Sequence, residues 1–281
     1  MERGYMFGGV GVTLRASADM SEKAELAPFA APPVDGFTVS CDFSEDLACP
    51  DQPPLYTAPY ETLWRWEPGM EAGLHRCQRD RQGPPWPYCL WRRRGKEIFM
   101  TWRPEYRDTL SAFQILERVD LFHLLLLEGG LVLHGSYIVH NGAGIVFSAP
   151  CGTGKSTQAA LWEQFRGAEV VNGDRCLLRP TAAGVAVHGI CYSGTSHISK
   201  NVSAPLKALV LLGQAPENRI RPVRGLEAFR FLLGQCAYRT WDKWDVAGVT
   251  EILSRVLSGV PVFRLDCRPD EGAVETLENL L

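Results

Sequence analysis

What this chain lacks narrows its reading. The nine cysteines, at 41, 49, 77, 89, 151, 176, 191, 236 and 267, include no CxxC pair and are odd in number. That argues against a zinc site or a disulfide framework and predicts reduced thiols in a cytoplasmic protein. No apolar run approaches the roughly 20 residues of a membrane span. The stretch Leu121–Leu127 is interrupted by His123 and gives way to Glu128-Gly129-Gly130. The opening residues Met1-Glu2-Arg3-Gly4-Tyr5 carry no apolar signal region, so secretion is not expected. A basic excess is missing too: 29 Lys and Arg face 32 Asp and Glu, a net charge of −3, which speaks against a nucleic-acid-coating role. There is no internal repeat and no low-complexity tail. The Leu-Ser-Gly-Gly-Gln signature of a transporter ATPase is absent, its nearest approach being Leu257-Ser258-Gly259-Val260-Pro261.

What is present describes an ordinary globular chain of 281 residues, 46% hydrophobic and 22% charged, long enough for a core domain and a smaller lobe. Residues 1–107 are rich in Pro, Trp and Arg. Short alternating runs there, such as Phe37–Cys41 and Glu97–Trp102, predict a mainly β N-terminal lobe. From Asp108 to Leu127, apolar residues at helical spacing (Leu110, Phe113, Leu116, Val119, Phe122, Leu126) predict one amphipathic helix leading into a second domain, 108–281. That domain has α/β texture. Strands are expected at Leu131–Leu133, Tyr137–Val139, Gly144–Ser148, Glu169–Val171, Ala208–Leu212 and Val262–Asp266. Helices are expected at Lys155–Phe165, Gly225–Gln235, Val246–Leu257 and Glu271–Leu281, the last capped through Pro269-Asp270.

The segment Ala149-Pro150-Cys151-Gly152-Thr153-Gly154-Lys155-Ser156 reads as a phosphate-gripping loop of the Walker A type. Such a loop needs backbone amides converging on phosphate, hence Gly152 and Gly154. It also needs a lysine to reach the terminal phosphates, here Lys155, and a hydroxyl for Mg²⁺, here Ser156. Cys151, Thr153 and Thr157 complete the nucleotide-binding run. An alanine, Ala149, stands where the strict pattern has glycine. The strand expected before it and the helix expected after it supply the required strand, loop and helix order, and the helix's positive end then faces the anion.

A carboxylate must come to the metal from a neighbouring strand, and Asp174, after Glu169-Val170-Val171-Asn172-Gly173, is the candidate. Asn-Gly-Asp is also good turn chemistry. His134, in His134-Gly135-Ser136, is a further candidate; a lone histidine is more often structural.

Together, His134-Gly135, Asn141-Gly142-Ala143-Gly144, the phosphate loop and Asn172-Gly173-Asp174-Arg175 resemble, in that order, the catalytic core of HPr kinase/phosphorylase, whose P-loop core is shared with phosphoenolpyruvate carboxykinase. The resemblance is specific over about residues 131 to 180. It implies an α/β fold with a PEP-carboxykinase/HPr-kinase-like core, ATP and Mg²⁺ as cofactors, and phosphoryl transfer to a hydroxyl of a peptide or protein. It also implies that Lys155 holds phosphates, Ser156 and Asp174 hold the metal, Asp174 serves the acceptor hydroxyl, and His134 orients or polarises Asp174. The family has two adjacent acids where this chain has Gly173-Asp174, which puts the reverse phosphorylase reaction in doubt. The whole chain looks more like diverged members that accompany bacterial peptide modification, including those that phosphorylate a serine of a lasso peptide, though outside that core the resemblance is textural. An alternative reading is a nucleotide-binding or ATP-hydrolysing module without an acceptor. Assembly into a homo-oligomer stays open. Lys200, His197, Arg239 and Lys243 are secondary candidates for substrate or phosphate contacts, and Arg92-Arg93-Arg94 for steering an acidic peptide or forming a solvated face.

Overall fold

The computed structural model describes residues 1–67, 69–78 and 83–281. It is a mixed α/β protein that divides into two compact units, Met1–Leu124 and Leu125–Leu281.

The first unit is built on one sheet. Its strands are β1 (Glu2–Phe7), β2 (Val10–Ala16), β3 (Ala30–Ala31), β4 (Gly36–Phe43), β5 (Tyr56–Ala58), β6 (Glu61–Glu67), β7 (Met70–Cys77), β8 (Trp86–Arg94) and β9 (Glu97–Trp102). They lie in the order β3-β1-β2-β4-β9-β8-β7-β6-β5. Side chains alternate between faces along a strand, and the arginine triplet on β8 shows it: Arg92 and Arg94 are exposed while Arg93 is buried. Arg93 pairs with the buried Glu71 at 3.2 Å, so the triplet is not one uniform solvated face.

The amphipathic stretch expected as one helix over 108–127 is two: α1 (Ala112–Arg118) and α2 (Leu121–Leu127). Asp120, at φ 53°, breaks the run. Its carbonyl then accepts from the N–H groups of His123 and Leu124, starting the second helix. Ser111 and Gln114 form a reciprocal capping box at the start of α1.

In the second unit the strands are β10 (Leu131–His134), β11 (Ser136–His140), β12 (Ala143–Ser148), β13 (Glu169–Asn172), β14 (Arg175–Thr181), β15 (Gly184–His188), β16 (Ser203–Gln214), β17 (Arg219–Val223) and β18 (Val262–Cys267). The helices are α3 (Lys155–Arg166), α4 (Gly225–Leu233), α5 (Lys243–Gly259) and α6 (Glu271–Glu278). The strand order is β10-β14-β15-β16-β12-β11-β13, with β18 also pairing β16 and β17 pairing β18. Strand β16 runs parallel to both β12 and β18.

Period-two alternation places helices on both faces of this sheet. Ile145, Phe147, Val210 and Leu212 pack with Ala159 and Trp162 of α3 and Val274 and Leu277 of α6. The intervening Val146, Leu209 and Leu211 pack with Leu232 of α4 and Val249, Leu253 and Val256 of α5. Each fully buried Val, Leu, Ile or Phe among them contributes roughly 1.5–3 kcal/mol. Helix α3 ends at Gly167, left-handed at φ 62°, and α6 starts with the Asp270 side chain accepting from the Ala273 N–H, as the sequence suggested.

Candidate functional site

The carboxyl ends of β12, β16 and β18 open on one edge of the sheet, where ligands of open α/β sheets bind. The loop leaving β12 runs into α3, and its two glycines take backbone angles that side chains rarely adopt, φ 79° at Gly152 and φ 109° at Gly154. Gly154 is the residue before the helix, so the first amides of α3 face the loop's concavity. Lys155 is buried, and its Nζ donates to the carbonyls of Ala149 (3.0 Å) and Pro150 (3.2 Å). Burial pulls the ammonium below its usual pKa, while Cys151 and Asp174 oppose the shift.

Strand β13 does not adjoin β12, because β11 lies between them and is antiparallel to both. Two antiparallel pairings restore direction, so β13 runs the same way as β12 and ends on the same edge. The turn that follows is pinned. Asn172 Oδ1 accepts from the N–H groups of Asp174 (2.8 Å) and Arg175 (2.9 Å). The Gly173 carbonyl accepts from Ser136 Oγ (2.8 Å) and Ser156 Oγ (3.2 Å), the latter tying the turn to the first turn of α3. The turn chemistry of Asn-Gly-Asp is therefore carried by Asn172, and the Asp174 carboxylate is left for other partners.

Those partners are cationic or polar. His134 Nε2 lies 3.4 Å from Asp174 Oδ1, and Arg175 Nε lies 3.4 Å from Oδ2. The contact from His134 does most to hold the Asp174 carboxyl below the ordinary carboxylate range; Arg175 and Lys155 add to it and burial opposes. The carboxylate is thus ionised at neutral pH and electrostatically aware of Lys155. His134 itself is fixed from behind: its Nδ1 sits 3.2 Å from Gln235 Oε1 and its backbone N–H donates to the Gln235 carbonyl at 2.9 Å. Gln235 was not among the residues singled out from the sequence. It is brought in because α4 stops at Leu233, two residues before the expected end, and the chain turns onto the edge of β10 through a Leu133–Cys236 bridge.

Chemically, the edge offers a cluster of amides and an ammonium for an anion, and two hard oxygen donors, the Ser156 hydroxyl and the Asp174 carboxylate, on either side of Gly173. That donor set suits Mg²⁺, which binds few protein ligands and keeps water and phosphate oxygens. Among the described residues no group of three or more His, Cys, Asp or Glu gathers as a metal site. A cleft of about 410 Å³ adjoins the loop, bounded by Gly152, Gly154 and Gln158 on one side and by Leu212, Cys267 and Pro269 on the other.

No family model matches this chain. A search of curated proteins also returns no match. Among solved structures, the chain is similar to the HPr(Ser) kinase/phosphatase from Coxiella burnetii, with a TM-score of 0.33 and 13% identity, over 53% of this chain and 94% of that one.

Of the secondary candidates, Lys200 and Lys243 are exposed, and His197 directly follows Ser196, which packs against Gly173. Lys200 Nζ pairs with Glu169 Oε1 at 3.0 Å, at the start of β13 and so at the opposite end of that strand from Asp174. His197 is exposed and left-handed at φ 54°. Arg239 is buried, with its N–H donating to Asp245 Oδ2 at 3.1 Å, and Lys243 is exposed above the Trp244 ring at 5.4 Å. Arg175, quoted only as part of the motif, proves to flank Asp174 and to lie over the Tyr192 ring at 5.5 Å.

Proposed function

We propose that this protein is a Mg²⁺- and ATP-dependent kinase that transfers a phosphoryl group to a hydroxyl, best matched by a serine, of a peptide or protein. The nucleotide-handling part lies in 108–281 and the mainly β lobe in 1–107. The observation that carries the reading is the ionised Asp174, backed by His134, on the same sheet edge as Lys155 and Ser156. ATP supplies the phosphoryl group, and Mg²⁺ neutralises charge on its phosphates. Gly152, Thr153, Gly154 and Lys155, with Cys151 and Thr157 flanking them, hold the phosphates, and Lys155 leaves its carbonyl partners to meet them. Ser156 and Asp174 hold the metal. Asp174 accepts the proton of the acceptor hydroxyl as its oxygen bonds to phosphorus and the bond to the ADP oxygen breaks. His134 keeps the carboxylate oriented. Nine free cysteines fit a reducing cytoplasm, and the absence of any helix long and apolar enough to cross a membrane among the described residues fits an acceptor met in solution.

The test uses ATP labelled at the γ-phosphate, Mg²⁺ and a panel of serine-containing peptides, with Asp174→Asn beside the wild type. Label on a peptide, reduced roughly 10²- to 10⁴-fold by the substitution while nucleotide binding persists, is the expected result. Release of inorganic phosphate with no labelled peptide or protein would instead identify an ATP-hydrolysing module.

A further inference from the structure

Beside the phosphate loop, one buried group has no partner. Gln158, in the second turn of α3, is 2% exposed, and its Nε2 makes no hydrogen bond. A buried donor left unmade costs free energy that an apolar residue would not incur, so its presence calls for a ligand or another role. Its other amide atom, Oε1, has only a weak neighbour, the Cys267 thiol at 4.0 Å. Gln158 and Cys267 both bound the cleft of about 410 Å³ that continues from Gly152 and Gly154. That volume falls in the range of small-molecule sites, roughly 300–1,000 Å³. Its remaining walls include the apolar Leu212 and Pro269, suited to the faces of a flat ring.

We propose that this cleft is the nucleobase subsite and that Gln158 selects adenine over guanine. The inference rests on the phosphate-loop reading above, which fixes where the triphosphate ends and hence that the nucleoside lies in the adjoining cleft. An amide side chain offers one donor and one acceptor side by side, which matches adenine's N7 acceptor and N6 donor. Guanine presents two acceptors on the same edge, N7 and O6, so one amide atom would face a like partner. An amide flip does not rescue guanine, because the side chain still holds only one donor group.

The experiment measures binding of MgATP, MgGTP and magnesium tripolyphosphate to the full chain, wild type and Gln158→Leu, by calorimetry. ATP should bind wild type on the order of tenfold or more tighter than GTP or tripolyphosphate. Gln158→Leu should remove the ATP preference over GTP, leave tripolyphosphate affinity unchanged, and leave the ligand-free melting temperature unchanged or raised, because the variant deletes an orphan donor. Equal binding of ATP and tripolyphosphate by wild type, or an intact ATP preference in Gln158→Leu, would overturn the base subsite alone. Failure of wild type to bind either triphosphate would overturn the phosphate-loop reading and this inference with it.

Discussion

Gly173 offers a sharp test of how the site is built. A Cβ placed on it would lie 2.5 Å from the Ser196 Cβ and 2.3 Å from its Oγ. Neither side can yield cheaply. Ser196 Oγ donates to the Ser193 carbonyl at 2.6 Å and accepts from the Ile198 N–H at 3.3 Å, so moving it sacrifices both bonds. Moving Gly173 instead strains the bonds its carbonyl accepts from Ser136 and Ser156. Each lost bond is worth about 1 kcal/mol net, and overpacking a tight site costs about 1–3 kcal/mol. Gly173→Ala should therefore destabilise the protein by about 2 kcal/mol, a fall of roughly 4–8 °C in a thermal melt of the full chain. Ser196→Gly removes the obstructing atoms, so the double variant should be less destabilised than the two single losses added, by about 1 kcal/mol or more. A Gly173→Ala protein that melts like the wild type, or strict additivity in the cycle, would refute the crowding argument. The same crowding leaves no room for a longer side chain at 173 while Ser196 stays in place.

Other outcomes follow from the same geometry. Lys155→Ala should remove the cation beneath the loop and abolish measurable phosphoryl transfer with strongly weakened nucleotide binding; full turnover in that variant would end the loop assignment. His134→Ala should lower kcat by about tenfold to a hundredfold, as loss of an orienting partner does, with the KM for ATP little changed; an unchanged kcat would make His134 structural. Gln235→Glu replaces the amide behind His134 Nδ1 with a carboxylate and should lower kcat more than it changes nucleotide affinity; an unchanged kcat would show that Gln235 only supports the fold. His188 is held near pKa 4 by burial and by Arg179, below its ordinary 6.5. Between those values the unfolded chain binds the extra proton, so stability falls as pH drops from about 6.5 to 4 and levels off below. Discounted for partial exposure, the loss is on the order of 1 kcal/mol, and His188→Gln should flatten that part of a denaturant-midpoint series; an identical slope in the variant would rule the effect out.

Much of the second unit was legible locally. Strand, loop and helix from Ala143 to Arg166 follow one another in sequence, and each carries its own signal: an apolar run, paired glycines, then helix formers. The turn at Asn172-Gly173-Asp174 was equally local. The break at Asp120 was not, because the apolar residues on either side keep helical spacing and only one backbone angle departs. The β14–β15 hairpin is not legible locally: Pro180 and the short Thr181-Ala182-Ala183-Gly184 turn interrupt what would otherwise read as strand. Gln235 could not be found from spacing at all, since its contact with His134 joins residues 101 apart in the chain. The same holds for the orphan amide of Gln158, which reads as an ordinary helix residue until the packing around Cys267 closes over it.

Strand β16 has a consequence for how the site works. Its first residues, Ser203–Pro205, pair with antiparallel β15, and the rest pairs with parallel β12 and β18. The sheet is thus two half-sheets joined along a seam, and the chain crosses that seam at Gly135 and again at Gly173-Asp174. The two crossings are stitched by the Gly135 N–H donating to the Asp174 carbonyl at 2.8 Å. His134, at the end of β10 in one half, and Asp174, at the crossing, are held close at that stitch. Lys155 follows β12 of the other half, and the Ser156 bond to the Gly173 carbonyl fastens that half to the same crossing, so one junction holds all three side chains.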